Sequence, residues 1–346
     1  MRSRRTDISP GGAEHGELAL LRRIRSRAGQ ASSSILRLGI GDDCALLRSR
    51  PGEELAVTTD LSIAGRHFRL DWHPPQSAGH RALARGLSDL AAMGARPIAA
   101  FLSLGVPREL TIAAGRRRAW VEGFLDGLFT LAAAYKTPLA GGDLSESSIA
   151  LADIVLMGAV PRGKALLRST ARPGHLLYVT GELGGAAAGL GRLAEFAEAR
   201  PASKHPPRIP KKLEVLLAPH LYPKPRVAQG QWLVRHGAAS AAIDLSDGLS
   251  TDLAHICEES GVSAEVDAAL LPIHPGATLE QALHGGEDYE LLFTAPPAVR
   301  LPRKIAGVAI TNIGRIAKTR PSRAGVTLLT AQGPRPLEPQ GWEHFA

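Results

Sequence analysis

The sequence predicts an α+β protein of two domains, residues 1–163 and 164–346. Its 346 residues exceed what one hydrophobic core usually serves. Runs with the apolar, β-branched texture of strands alternate with runs whose small and apolar residues return at helical spacing. Near Lys164 the segment RSTARPG carries a Pro-Gly turn signal, and a second series of strand and helix patterns starts behind it.

In the first domain, residues 15–29 pattern as a short amphipathic helix. LGIGDDCALL (38–47) and ELAVTTDLSIAGRHF (54–68) read as strands broken by glycine turns. From Ser77 to Gly94 the period becomes helical. A strand (IAAFLSLGVP), a helix over about 111–135 and a strand pair (TPLAGGD and IALADIVLMGAV) follow, which groups helices beside a mixed sheet. The second domain has α/β character. It opens with LLYVTG, a buried-looking strand whose continuation GELGGAAAG (181–189) starts a helix. Residues 196–212 are rich in Pro, Lys and Arg without hydrophobic period and read as an exposed loop. A helix over about 224–236, the strand AAIDLS, a helix to Ser260 and the strand SAEVD come next.

Composition narrows the function classes. The hydrophobic fraction of 44% with 21% charged residues is ordinary for a globular protein. No apolar run approaches the roughly 20 residues that cross a bilayer. The basic N-terminal stretch leads into no apolar segment of the secretory type. Cys44 and Cys257 form no C-x-x-C, which fits a reducing, cytoplasmic setting and argues against zinc or a disulfide framework. A net charge of +8 raises the possibility of a nucleic-acid partner. Aromatic residues make up only 4%, however, and the arginines are scattered, so runs such as Arg116-Arg117-Arg118 read as a solvated helix face.

The chemistry is carried by aspartates beside glycines or at strand ends: Gly41-Asp42-Asp43, Thr58-Thr59-Asp60, Leu87-Ser88-Asp89, Gly141-Gly142-Asp143 and Asp244-Leu245-Ser246-Asp247-Gly248. One Asp-Gly pair is ordinary turn chemistry. Five in one chain ask for another reason. Carboxylates converging at ~4 Å repel by several kcal/mol per pair at an effective dielectric of about 20, so convergence calls for divalent cations. Oxygen ligands without His or Cys favour Mg²⁺, which also binds phosphate oxygens. Two local patterns do not hold up. GAVPRGK (158–164) has the outline of a P-loop, but Ala165 stands where the metal-binding hydroxyl belongs and Pro161 interrupts the amides. D-L-S-D-G around Ser246 resembles a nucleophile elbow without its first glycine. The turn at 181–189 lacks G-x-G-x-x-G; its amides could face a phosphate or simply pack the helix on the sheet.

At these residues the sequence resembles the thiamine-monophosphate kinases, a branch of the superfamily that includes aminoimidazole ribonucleotide synthetase. The resemblance runs nearly end to end: GIGDDCALL, TTD with GRHF at 58–68, RALARGLSDLAAMGARP, GGD at 141–143, RSTARPG, PKPRVAQG, AIDLSDGLSTDLAHI and GGEDYELLFT. It implies an N-terminal domain whose strands pair in a homodimer, a C-terminal domain that closes over the nucleotide, and ATP with several Mg²⁺ ions. Carried over by residue, Asp43, Thr58, Thr59, Asp60, Asp89, Asp143, Asp244 and Asp247 would hold the metals. Gly142, Asp143, Arg168 and Ser246 would contact ATP, and His67, Glu287 and Trp342 would contact thiamine monophosphate. Departures from the family pattern are Leu144-Ser145 after GGD, where Thr is usual, Ala64 in place of an acidic residue, and the long basic segment 196–212. The implied reaction is direct transfer of the γ-phosphoryl to thiamine monophosphate, which needs positioning and metal electrostatics and no side-chain nucleophile. The rivals are an ATP-dependent synthetase of the same superfamily and, from another class, a nucleic-acid-binding protein.

Overall fold

In a computed structural model the described residues are 17–29, 35–40, 44–48, 50–113, 118–201, 206–319 and 325–341. The first helix, α1 (Glu17–Ala28), turns Leu20, Ile24 and Ala28 inward at four-residue spacing. A hairpin of β1 (Leu36–Leu38) and β2 (Leu46–Leu47) follows. Next come β3 (Glu53–Ile63), α2 (Pro75–Ala92), β4 (Arg96–Val106), α3 (Trp120–Ala134), β5 (Leu139–Glu146) and β6 (Leu151–Pro161). The strands form a mixed sheet in the order β3-β6-β4-β5, in which only β4 and β5 run parallel.

The two faces of this sheet differ. Side chains alternate along a strand, and along β3 Thr58, Asp60 and Ser62 are the more buried set whereas Val57, Thr59 and Leu61 are exposed. Helix α2 covers the first set: a Cβ at Gly86 would lie 2.8 Å from Leu156 and 3.4 Å from Thr58. Behind it α3 packs so closely that a Cβ at Gly79 or Gly127 would sit 1.8 Å from the carbonyl oxygen of Phe124 or Gln76. Glycine at both places lets the helix backbones touch.

The second domain contains β7 (Leu176–Thr180), α4 (Gly185–Glu198), α5 (Lys211–Leu221), α6 (Val227–His236), β8 (Ala241–Asp244), α7 (Leu249–Ser260) and β9 (Ser263–Asp267). It continues with α8 (Leu279–His284), β10 (Leu291–Ala295), β11 (Lys304–Ile305), β12 (Val308–Ala317), β13 (Val326–Thr330) and β14 (Gly333–Pro336). Its sheet has the order β14-β13-β9-β12-β7-β10-β8, with β11 beside β12. Among the described pairs in this sheet only β9 and β13 run parallel. The α/β alternation along the chain therefore builds a largely antiparallel sheet, because β10 returns directly between β7 and β8. The hydrophobic core is continuous between domains: Leu87 and Phe124 share it with Val227, Leu233, Leu291 and Phe293.

Local expectations are met with three differences. The helix expected from about 111 begins at Trp120, after a 3₁₀ turn over Arg108–Thr111. The helix expected from 224 begins at Val227, consistent with Pro225 biasing the residue before it away from helical backbone. The end of the basic segment is not loop but the start of α5, whose Leu213, Leu217 and Leu221 pack with Leu193 and Trp72. Pro219 and the lysines mask that stripe in the sequence. Burial of Leu217 and Leu221, each worth about 1.5–3 kcal/mol, with partial burial of Leu213, outweighs one lost hydrogen bond in the last turn.

Candidate active site

A cavity of about 550 Å³ opens where the two domains meet. The first domain lines it with Asp60 from β3, His67 and Phe68 from the following loop, and Arg85 and Asp89 from α2. From the second domain come Asp244, Ser246 and Asp247 at the end of β8, and Glu287 and Tyr289 from the GGEDYE loop. Backbone pairing holds the last two segments together: the amide of Glu287 donates to the carbonyl of Ser246 (2.8 Å), and that of Tyr289 to Leu245 (2.9 Å). The loop holds two left-handed residues, Glu287 at φ +68° and Tyr289 at φ +51°. Such backbone in residues with side chains costs energy that the surrounding contacts must supply.

Three carboxylates approach one another across the domain boundary. Thr58 Oγ1 donates to Asp89 Oδ2, and Ser88 Oγ donates to Asp244 Oδ2 at 2.7 Å. Burial, then repulsion from Asp89, pushes Asp60 and Asp244 each up to about 7. Asp89 is raised by burial as well. Asp60 Oδ2 is buried with no hydrogen-bond partner, while Oδ1 lies 3.4 Å from Arg85 Nε. An unpartnered buried carboxylate oxygen among mutually repelling acids fits a hard cation, since a positive charge there relieves both costs. Among the described residues, no three acidic, His or Cys side chains already form a closed cage.

Beside the carboxylates lies a buried polar network that the sequence reading did not find. Arg81, only 5% exposed, donates to Glu287 Oε1 (2.6 Å), to the carbonyl of His67 (3.0 Å) and to the carbonyl of His220 (3.1 Å). His73 Nδ1 accepts the amide of Arg69 (3.1 Å), which puts its proton on Nε2, 2.9 Å from His220 Nε2. Arg81 Nη1, a donor only, lies 2.7 Å from His220 Nε2 and 2.9 Å from Nδ1, and Nδ1 is 3.6 Å from Glu287 Oε2. Burial, reinforced by Arg81, pushes His73 down to about 3 and His220 well below the usual imidazole value. Both rings are therefore neutral. A sequence signal did exist: Arg81, Arg85 and Asp89 recur every four residues on an otherwise small and apolar helix, which places three charges on one face.

The other expected residues are distributed as follows. Arg168 is close enough to Asp89 and Asp244 to favour their charged forms. His67 lines the cavity, with Nδ1 accepting the amide of Ile63 at 3.0 Å. Gly142 lies on β5 at φ +147°, where a Cβ would meet the Leu102 carbonyl oxygen at 1.9 Å. Thr59 and Asp143 are on the opposite face from Asp60. Asp143 pairs with exposed Ser103, and Asp60 lines up through Ile154 and Leu102 with Gly142. Three strand spacings of roughly 4.8 Å put Asp143 about 14 Å from the β3 edge. Asp43, with its neighbour Asp42, and Trp342 lie outside the described residues. The P-loop-like run ends in a turn rather than a helix. At the glycine-rich turn the amides of Gly184 and Ala186 donate to the Asp288 carboxyl group (2.6 and 2.9 Å), so the N-terminus of α4 is already occupied.

Comparison with known proteins gives this geometry a context. The N-terminal domain family of AIR synthase related proteins matches residues 41–160, and the C-terminal domain family matches residues 172–324. Thiamine-monophosphate kinase of Escherichia coli K12 is 40% identical over 96% of this chain and 98% of its own length. The chain belongs to the thiamine-monophosphate kinase family. A crystal structure of a family member from Stenotrophomonas maltophilia K279a, 37% identical, covers 91% of this chain and 96% of its own with a TM-score of 0.74. Another member, described as AaThiL complexed with AMPPCP and TMP, is 31% identical over 95% of this chain and 97% of its own, with a TM-score of 0.71. For a chain of this family, TTD, LSD, DLSD and GGEDYEL converge on one cavity.

Proposed function

We propose that this chain catalyses transfer of the γ-phosphoryl of ATP to thiamine monophosphate, giving ADP and thiamine diphosphate, the last step of thiamine diphosphate biosynthesis. The observation that carries this reading is the one cavity lined by Asp60, Asp89, Asp244 and Asp247 together with His67 and Glu287. Its carboxylates suit a metal-bound phosphate chain, and its other polar side chains suit an organic acceptor.

Asp60, Asp89, Asp244 and Asp247, with the Thr58 hydroxyl, would hold Mg²⁺ on this side of the sheet. Thr59, Asp143 and Asp43 are the remaining proposed ligands, and Thr59 on β3 and Asp143 on β5, about 14 Å apart across the sheet, would serve different ions. These residues would hold Mg²⁺, which would there supply charge neutralisation and polarisation of the transferring phosphate. The chain's own part is positioning. Arg168 supplies a fixed positive charge beside the cluster, and the Ser246 segment and the side-chain-free backbone at Gly142 let ATP approach closely. Glu287, held by Arg81, would accept hydrogen bonds from the acceptor's amino group, with His67 and Trp342 as further proposed contacts. The acceptor phosphate is ionised at neutral pH, so no strong general base is required.

We also infer a cytoplasmic homodimer with residues 1–163 forming the contact and 164–346 the closing domain. Exposed Leu55, Val57 and Leu61 on edge strand β3 support the contact. The two cysteines are unpaired, as suits a reducing compartment, and among the described residues no helix is long and apolar enough to cross a membrane.

The test is product analysis by mass spectrometry with ATP, thiamine monophosphate and Mg²⁺. Stoichiometric ADP and thiamine diphosphate are expected, and Asp60→Asn should retain under about a tenth of kcat, since one lost ligand costs more than about 1.4 kcal/mol of barrier. ADP with free phosphate and no thiamine diphosphate would point to the synthetase rival. Full activity in EDTA would remove the metal from the scheme.

A further inference from the structure

Two arginines one helical turn apart on α2 are held very differently, and of the two Arg85 lines the cavity. Arg81 is saturated by Glu287, His220 and the His67 carbonyl. Arg85 makes two long contacts, Nε to Asp60 Oδ1 at 3.4 Å and Nη1 to the Leu61 carbonyl at 3.5 Å. Its side chain keeps 20% of its surface exposed, and it lines the cavity together with Asp60, Asp89 and Glu287. Asp60 is therefore half-served: one oxygen faces this loosely held guanidinium and the other is buried without a partner.

We propose that Arg85 is the resident counter-charge of the carboxylate cluster, displaced from Asp60 by the divalent cation and then available to the phosphate of the acceptor. The inference rests on the kinase reading given above. The physical reason is competition for one carboxylate. A guanidinium and a divalent cation near Asp60 repel each other, so a bound metal weakens the Arg85 contact, and the stem of an arginine is long enough to swing into the cavity it already lines. A guanidinium released there is a planar five-donor group suited to phosphate oxygens. The cluster would thus never be left bare: Arg85 offsets its charge when the metal is absent, and the metal's arrival frees a cation at the moment a second phosphate must be held.

This makes a prediction of unusual sign. Removing Arg85 should strengthen metal binding while weakening acceptor binding. Mn²⁺ is titrated into the full-length protein without nucleotide, with free Mn²⁺ read by electron paramagnetic resonance, for wild type, Arg85→Gln and Arg85→Lys. Arg85→Gln is expected to bind Mn²⁺ at least about threefold more tightly, because one unit charge at ~4 Å is worth about fivefold even at the dielectric of water. Arg85→Lys keeps the charge and should stay within about twofold of wild type on the same argument. In steady state, Arg85→Gln should raise KM for thiamine monophosphate about tenfold or more, the range of a lost charge-assisted hydrogen bond, with KM for ATP nearly unchanged. The proposal is overturned if Arg85→Gln binds Mn²⁺ no more tightly than wild type. It is equally overturned if Arg85→Lys tightens as much as Arg85→Gln, or if both substrates lose affinity alike. A wild type that makes no thiamine diphosphate, alongside tighter Mn²⁺ binding by Arg85→Gln, would sink the kinase reading and leave the displacement of Arg85 by the cation standing.

Discussion

Replacing Arg81 with methionine keeps most of the stem volume and removes the charge that ties three segments together. In the native site it donates to Glu287 Oε1 at 2.6 Å and to the buried carbonyls of His67 and His220. Removing one partner of a buried ion pair costs about 3–5 kcal/mol. Glu287 keeps 28% of its side chain exposed, so water can recover its carboxylate, and the lower end applies. Two carbonyls left without a donor each add roughly 1 kcal/mol if water does not reach them. The expected loss is therefore about 3–5 kcal/mol in urea unfolding. Glu287→Gln alone should cost less, about 1–2 kcal/mol, because the amide oxygen still accepts from Arg81. In a double-mutant cycle the coupling should reach about 1.5 kcal/mol, within the range seen for residues in one network. Function should follow the same contact. With its ties gone, the left-handed Glu287 can relax away from the cavity, and KM for thiamine monophosphate should rise about tenfold, equal to 1.4 kcal/mol, while KM for ATP holds. A coupling below about 0.5 kcal/mol, the usual limit of additivity, or an equal rise in both KM values, would refute the claim that Arg81 acts by positioning Glu287.

Three other outcomes follow from particular residues. The Asp244 carboxyl gives up its proton near the ordinary carboxylate value of 3.8 when unfolded but holds it to about 7 in the fold, chiefly through burial. Metal-free protein should therefore lose stability as pH rises between those values. Asp244→Asn should raise the metal-free Tm at pH 8, have little effect at pH 4, and abolish the Tm gain on adding Mg²⁺; equal shifts at both pH values would count against the burial argument. Gly142→Ala brings a methyl within 1.9 Å of the Leu102 carbonyl oxygen at φ +147°, so a loss of at least ~2 kcal/mol is expected in denaturant unfolding, and a neutral result would mean that β5 yields easily. Val57→Asp puts a charge on the exposed apolar row of β3, where Val57 is 59% exposed; sedimentation velocity at micromolar protein should show monomer, and an intact dimer would place the contact elsewhere.

Much of this protein is legible one residue at a time. Strand and helix texture, the acid-glycine repeats and the absence of His or Cys ligands are local properties, and they lead to the secondary structure and to a hard-cation, phosphate-handling chemistry without any contact being known. Asp60, Asp89, Asp244 and Asp247 were visible that way, Ser246, His67 and Glu287 through the family resemblance, and all line one cavity. Helix α5 was not, because Pro219 and the flanking lysines hide a leucine stripe whose partners Leu193 and Trp72 lie on other elements.

Only the tertiary structure decided which charges meet. Asp60 and Asp143 look alike in the sequence, each closing an apolar strand, yet strand alternation and sheet order put them on opposite faces. Arg81 and Arg85 are neighbours on one helix, yet one is saturated by the His67 and His220 carbonyls and Glu287 and the other barely held. Ser88 finds Asp244 across 156 positions of sequence. The division has a physical cause: propensity and side-chain chemistry are set by near neighbours, whereas the desolvation and Coulomb energies that make a carboxylate a ligand, or an arginine a strut, depend on groups that folding alone brings together.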